Sequence, residues 1–327
     1  MKAVLCKRFG PPESLVVEEV PSPAVGAGQV RIAVHACGVN FPDTLIIQDK
    51  YQFKPPLPFT PGGEVAGTIV EVGAGVTRVS LGDRVIAMVG WGGFAEELVV
   101  EAERTMPVPR EMDFVTAAGF TMTYGTSYHA LEQRARLRAG ETLLVLGAAG
   151  GVGLAAVELG RLMGARVIAA AGSAEKLALC REYGADATIN YDAEALKDRV
   201  KELTGGQGAD VIYDAVGGDY FDQAMRCINW NGRLLVVGFA SGRIPQLPAN
   251  LVLLKGCSVV GVFWGAFTAR EPEVNAGNLA ALGRWYEEGK LKPHVCKTYP
   301  LERAADALND IIRREARGKI VLTTGRA

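Results

Sequence analysis

Over the first 120 residues, apolar and polar positions alternate in short runs. Residues 30–36 (VRIAVHA) and 64–72 (EVAGTIVEV) show the period of two that marks a half-buried strand. Residues 79–86 predict a turn feeding another strand, and residues 94–100 (FAEELVV) one more. Between them stand Gly10-Pro11-Pro12, Pro21-Ser22-Pro23, Pro55-Pro56 and Pro61-Gly62-Gly63. Short strands separated by such turn signals predict a compact, barrel-like β domain.

The pattern changes near Asp113. Residues 114–131 have a helical period and lead into an apolar run, 143–146, which enters a glycine-rich turn at 147–153. An Ala/Leu-rich helical stretch then ends at Gly164. From there strands are expected at 167–171, 187–190, 209–215, 233–237 and 258–262, with helices at 174–183, 194–203 and 220–228 between them. Regular alternation of this kind predicts an α/β domain built on a doubly wound, mostly parallel sheet. Gly184 and Gly232 fall where a positive φ is wanted. After Phe263 the series stops; helices are expected at 278–289 and 301–317 and a short strand at 319–323. That tail is too small to fold alone, so it should rejoin the first domain. The expected boundaries are 1–123 with 266–327 for the β domain and 124–265 for the inserted α/β domain.

Composition narrows the class of function. The 327 residues carry 35 Lys+Arg against 36 Asp+Glu, a net charge of −1, which gives no basic surface for nucleic acid or anionic membrane. No apolar leader and no spanning run is seen in the sequence, so a cytoplasmic protein without membrane partners is expected. The six cysteines and three histidines are dispersed, which argues against a disulfide framework or a zinc lobe; most of the cysteines should be small buried residues.

The chemistry is carried by the glycine-rich turn. It follows a strand, opens a helix and lies inside a strand-helix-strand unit, the context in which such glycines seat a dinucleotide pyrophosphate. Ala149, Gly150, Gly151 and Val152 line that seat: Gly150 permits close backbone approach, Gly153 tight helix-strand packing, and the helix N-terminus faces the phosphates. The next strand ends Ala169-Ala170-Ala171-Gly172-Ser173, with no acid to hold a ribose 2′-hydroxyl. Ser173 and Lys176 stand there instead, a hydroxyl and a cation suited to a 2′-phosphate, although Ser173 also reads as an N-cap. NADPH is the expected cofactor.

Taken together these features resemble the medium-chain dehydrogenase/reductase superfamily, in particular its zinc-free NADPH:quinone oxidoreductase (zeta-crystallin-like) branch. The resemblance runs through Lys2-Ala3-Val4, Pro11-Pro12-Glu13, Gly38-Val39-Asn40-Phe41-Pro42-Asp43, the stretch 59–67, the glycine-rich turn, Val237-Gly238-Phe239 and Gly318-Lys319. It implies a Rossmann domain inserted into a GroES-like β-barrel domain. Zinc members carry Cys where Asn40 stands and His where Gly63 stands, so no metal is expected. The resemblance implies that Asn40 and Thr123 lie near the nicotinamide and that Tyr51 lines the substrate cleft; Leu45 stands where those enzymes often have a second tyrosine. It further implies that Tyr191 packs on the adenosine, that Gly238, Phe239, Phe263 and Gly265 contact the nicotinamide, that Lys319 approaches the cofactor, and that Asp43 is structural. Hydride would pass to a small-molecule acceptor, a quinone or an activated alkene, with the enoyl-thioester reductases and non-catalytic NADPH-binding crystallins as alternatives. Residues 257–263 (CSVVGVF), the last strand of the sheet, are apolar on both faces and predict a homodimer.

Overall fold

The structure, a computed structural model, describes residues 1–326. Two compact units are present: Met1–Met122 with the segment from Lys292 onward, and Thr123–Leu291. The boundary expected at 265/266 therefore lies at 291/292, because the helices after Phe263 pack within the second unit.

The first stretch holds β1 (Lys2–Leu5), β2 (Val16–Glu19), β3 (Gln29–Val39), the short helix α1 (Phe41–Ile46) and β4 (Glu64–Val72). It continues with β5 (Arg84–Met88), β6 (Glu97–Glu101), β7 (Thr105–Pro107) and α2 (Phe114–Ala118). The middle stretch begins with α3 (Thr121–His129), β8 (Thr142–Leu146), α4 (Gly151–Leu162), β9 (Arg166–Ala171) and α5 (Ala174–Glu182). Then come β10 (Ala187–Asn190), α6 (Leu196–Leu203), β11 (Ala209–Asp214), α7 (Gly218–Cys227) and β12 (Ile228–Val236). It closes with α8 (Ala249–Lys255), β13 (Ser258–Gly261), α9 (Trp264–Arg270) and α10 (Pro272–Glu287). The tail adds β14 (Val295–Pro300), α11 (Ala304–Ile312) and β15 (Lys319–Thr323).

In the first unit a seven-stranded mixed sheet runs β14-β15-β3-β4-β5-β7, with β6 also paired to β3. β3 is long and kinked where its register against β4 shifts between Val34 and Ala36, which lets it pair with β15, β4 and β6 in turn and curl the sheet. Val30, Ile32 and Val34 of β3 meet Val65 and Ile69 of β4, Leu301 and Leu308 in one buried core. Gly67 has a steric cause: a Cβ there would lie 2.1 Å from the Ala33 carbonyl oxygen.

In the second unit a six-stranded sheet runs β10-β9-β8-β11-β12-β13, and every neighbouring pair is parallel. Central strands of such a sheet are covered on both faces and read as continuous apolar runs. In β8, Leu143, Leu144, Val145 and Leu146 are all fully buried, each stabilising the fold by roughly 1.5–3 kcal/mol.

Several elements differ from the sequence expectation. The helix expected over 114–131 breaks at Gly119, where a Cβ would press on the Lys319 stem at 2.8 Å; a π-helical turn, Ala130–Ala135, then ends it in Arg136 with φ of 50°. Gly232 lacks a positive φ; Asn231 has it instead (58°), and Gly232 is small because a Cβ would strike Ile228 at 2.5 Å. The helix expected at 301–317 is a 3-10 turn followed by the shorter α11. β6 begins at Glu97, later than the expected 94, and α10 begins at Pro272, earlier than 278. α8, α9 and β14 carried no clear period; α8 buries none of its residues. Five of the six cysteines are buried. Among the described residues no helix is long and apolar enough to cross a membrane.

Replacing Gly67 with Ala forces β3 and β4 apart, so a loss of about 3 kcal/mol is expected, read as a lower thermal midpoint. A midpoint unchanged within about 1 °C would mean the pairing relaxes around the methyl group.

Candidate active site

Because all strands of the second unit run parallel, their carboxyl ends share one edge, and the loops leaving that edge carry every expected cofactor residue of this unit. Ala149, Gly150, Gly151 and Val152 follow β8; Ser173 and Lys176 follow β9; Tyr191 follows β10; Gly238 and Phe239 follow β12; Phe263 and Gly265 follow β13. The chain order of the strands reverses at β8, the switch point at which open α/β sheets bind ligands.

The glycine-rich turn is shaped by two different demands. Gly147 has φ of 66°, and a Cβ on Gly153 would lie 2.2 Å from the Gly147 oxygen, so α4 packs directly onto the turn. Gly150 is different: a Cβ there would meet only the Gly147 oxygen, at an ordinary 3.4 Å. The fold does not require glycine at 150, whereas a ligand lying against the backbone would. Gly150 is also the N-cap and supplies no side-chain cap to α4, leaving the helix N-terminus to receive an anion. The first turn of α4 is tied to α3 by Ser127, whose Oγ donates to the Val152 oxygen (2.8 Å) and lies 3.0 Å from the Tyr213 hydroxyl.

At the end of β9, Ser173 caps α5, its Oγ accepting from the Lys176 N–H at 3.3 Å. The capping bond uses an oxygen lone pair and leaves the hydroxyl proton for another acceptor. Tyr191 packs on Tyr220 with ring centroids 4.2 Å apart. At the end of β11 the buried Asp214 accepts from the Val216 and Gly217 N–H groups, both at 2.8 Å, and burial holds its carboxyl above the usual range. Its backbone oxygen accepts from Val237 and Gly238, which fixes the Gly238-Phe239 loop. Phe263 is half exposed, and Gly265 has open space in the Cβ direction apart from the Phe263 ring at 3.6 Å. Thr123 is buried near the start of α3. Gly125 beside it is explained by Trp264, whose ring would lie 2.7 Å from a Cβ.

The first unit contains a polar cluster that the sequence reading grasped only in part. Lys319 and Glu64 are both buried and form an ion pair at 3.0 Å. The Lys319 ammonium also donates to Asn40 Oδ1 (2.5 Å) and to the Val39 oxygen (3.1 Å). Glu64 accepts in addition from the Met122 N–H (2.8 Å) and from Asn40 Nδ2 (3.3 Å), and the second Nδ2 proton faces the Gly38 oxygen (3.2 Å). A buried ammonium is tolerated only when its protons are accepted. All three protons of Lys319 are accepted within this unit, by Glu64, Asn40 and the Val39 oxygen. Asn40 is held equally firmly by both ends of its amide. Asp43 accepts from the Asn40 N–H at 2.8 Å, the structural role expected of it. Burial pushes its carboxyl up to about 6 against the lowering effect of that N–H and of Lys319. Tyr51 is half-buried, edge-on to Phe53, and burial, then the Asp43 charge, raise its hydroxyl above the usual phenol value. The signal missed in the sequence was a charge at the first position of each of two largely apolar strands, Glu64 in β4 and Lys319 in β15.

Lys319→Met leaves the Glu64 carboxylate buried without its counter-charge, so a loss of about 3–5 kcal/mol is expected, measured by denaturant unfolding. Adding Glu64→Gln should restore most of it; a double variant as unstable as the single one would refute the pairing as the cause.

Comparison with known proteins agrees with this geometry. The family profile "Alcohol dehydrogenase GroES-like domain" matches residues 26–110, and "Zinc-binding dehydrogenase" matches residues 151–279. The chain is 46% identical to quinone oxidoreductase-like protein 2 homolog of Nematostella vectensis, over 99% of this chain and 89% of that one. It is 38% identical to the quinone oxidoreductase of Rattus norvegicus, over 98% and 97%. The Escherichia coli quinone oxidoreductase solved with NADPH superposes with a TM-score of 0.92 at 28% identity, covering 99% of this chain and 100% of that one. The second profile is named for zinc, but the donors present do not fit that ion. Position 63 is glycine, Asn40 and Glu64 already face the Lys319 ammonium, and no metal-holding group of three or more His, Cys, Asp or Glu occurs among the described residues. The chain belongs to the zinc-free quinone oxidoreductase family of the medium-chain dehydrogenase/reductase superfamily.

Proposed function

We propose that the protein is an NADPH-dependent oxidoreductase that reduces a quinone by direct hydride transfer. The observation that carries this reading is the end of β9. The strand closes without an acid of its own, and the Ser173 hydroxyl and Lys176 follow at the same edge as the glycine-rich turn. A hydroxyl and a cation suit a 2′-phosphate, and an uncapped α4 suits the pyrophosphate. The NADPH-bound neighbour from E. coli supports the same cofactor.

NADPH supplies the hydride; the chain binds, orients and shields. The acceptor takes two electrons as hydride, and a proton from solvent completes the hydroquinone. Asn40, fixed at both ends by Lys319 and Glu64, serves as a rigid polar wall rather than a mobile donor. The hydroxyls of Tyr51 and Thr123 are the proposed hydrogen-bond donors to the developing oxyanion. A phenol is protonated at neutral pH, as a donor must be, and burial raises the Tyr51 hydroxyl further. The 46%-identical relative carries a "-like" name, so the quinone is inferred from the more distant enzymes and from the modest demand of quinone reduction for a proton donor.

NADPH consumption with quinones, enals and enoyl thioesters in parallel tests the acceptor. Quinones should be turned over fastest. A preference for an enoyl thioester by about a hundredfold in kcat/KM would replace this reading with a reductase of activated alkenes, and tight NADPH binding with no turnover would make the protein a non-catalytic binder.

The assembly proposed is a homodimer through β13. Within the sheet this strand pairs on one side only, with β12. Near it in the chain, Leu253 is 80% exposed and Ile244 71%, apolar area that a second copy would cover. Size-exclusion chromatography with light scattering should give twice 34.7 kDa; a monomer mass would refute it.

A further inference from the structure

The end of β9 has no acid in its own sequence, yet a carboxylate stands there in space. β10 lies beside β9, pairing Asn190 with Ala171, and the chain leaving β10 brings Asp192 back across the end of its neighbour. A Cβ built on Gly172, the first residue after β9, would lie 2.4 Å from Asp192 Oδ2 and 3.1 Å from its Cγ. The carboxylate thus fills the space that a side chain at position 172 would enter. In dinucleotide sites an acid at the end of this strand accepts a hydrogen bond from the ribose 2′-hydroxyl, and Asp192 reaches the same strand end from β10.

Asp192 is anchored rather than merely nearby. The Tyr220 hydroxyl donates to Oδ1 at 2.9 Å, the Asp192 N–H donates to Asn190 Oδ1 at 3.2 Å, and Tyr220 in turn packs on Tyr191. The same corner therefore holds Ser173 and Lys176, which suit a 2′-phosphate, and a fixed carboxylate, which repels one and suits a 2′-hydroxyl.

We infer that Asp192 is a specificity-determining residue that opposes the 2′-phosphate of NADPH and accepts from the 2′-hydroxyl of NADH, so that the protein binds both nucleotides. The inference rests on the reading that the second unit binds a nicotinamide dinucleotide through the turn at 147–153. Lys176 and Asp192 act in opposite directions on the same phosphate, and the balance between them sets the NADPH:NADH ratio. Gly172 is part of the device, since only a residue without a side chain leaves room for the carboxylate.

Fluorescence titration of the full chain with NADPH and with NADH, at low ionic strength, tests this. The wild type should bind the two within about tenfold of each other. Asp192→Asn should raise the NADPH:NADH affinity ratio by roughly fivefold, the scale of one partly exposed charge pair, and Lys176→Gln should lower it. Gly172→Ala keeps the charge but pushes it off the strand end, and should move the ratio in the same direction as Asp192→Asn. A ratio unchanged in both Asp192→Asn and Gly172→Ala, with NADPH still bound by the wild type, overturns the role of Asp192 and leaves the proposed function standing. If the wild type binds neither nucleotide, the role of Asp192 and the proposed function fall together.

Discussion

The constraint on which the second unit depends is the parallel pairing of β8 with β9 on one side and β11 on the other. Parallel strands need a crossover between them, and right-handed crossovers return each strand in the same direction. Every strand end, and the N-terminus of each helix that directly follows one, then opens on one edge. The glycine-rich turn would be an unremarkable kink elsewhere. Here it is the middle of a row of loops, and residues more than a hundred positions apart, such as Gly150 and Phe263, belong to the same edge. Full burial of β8 anchors the start of the turn, and Ser127 ties the first turn of α4 behind it.

In the first unit the comparable constraint is the burial of one ammonium. Lys319 needs three acceptors and takes them from Glu64, Asn40 and the Val39 oxygen. Much of the local sequence follows from making room for it. A Cβ on Gly38 would lie 2.0 Å from the Ala118 oxygen, 2.7 Å from Glu64 Oε2 and 3.1 Å from the Lys319 ammonium, and one on Gly119 would press on the lysine stem. The Gly38-Val39-Asn40 motif therefore packs around an ion pair, with Asn40 as a member of it. A residue that looks like a free polar group in a turn is, once folded, fully committed to its neighbours.

The elements legible in the sequence were those whose apolar pattern matched one period over their whole length: β3, β4 and the strands and helices from β8 to β11. Those that were not legible had another cause. β14 carries a polar, half-exposed sequence (VCKTYP) and is a strand because β15 offers it an edge. α8 lies on the surface, fully buries no residue and rests on the core through the partly buried Leu251 and Val252. The need for glycine at 119 comes from a lysine two hundred residues later in the chain, which no local propensity records. The boundary at 291/292 follows from α9 and α10 packing with the second unit through contacts such as His129 on Phe267 and Gln133 with Asn278.

The sequence by itself determined the inserted arrangement of strand-helix repeats, the dinucleotide turn and the residue types around it, because these depend on periodicity and on glycine at fixed spacing. It also carried the resemblance to a zinc-free reductase. The tertiary structure alone decided which polar groups remain available: Ser173 keeps a hydroxyl proton, while Asn40 and Lys319 are consumed by Glu64. It alone supplied Asp192 to the end of a strand that has no acid of its own. The reason is physical. Hydrogen bonds and charges are satisfied by whatever lies within about 3 Å, and that neighbourhood is set by strand pairing, not by position in the chain.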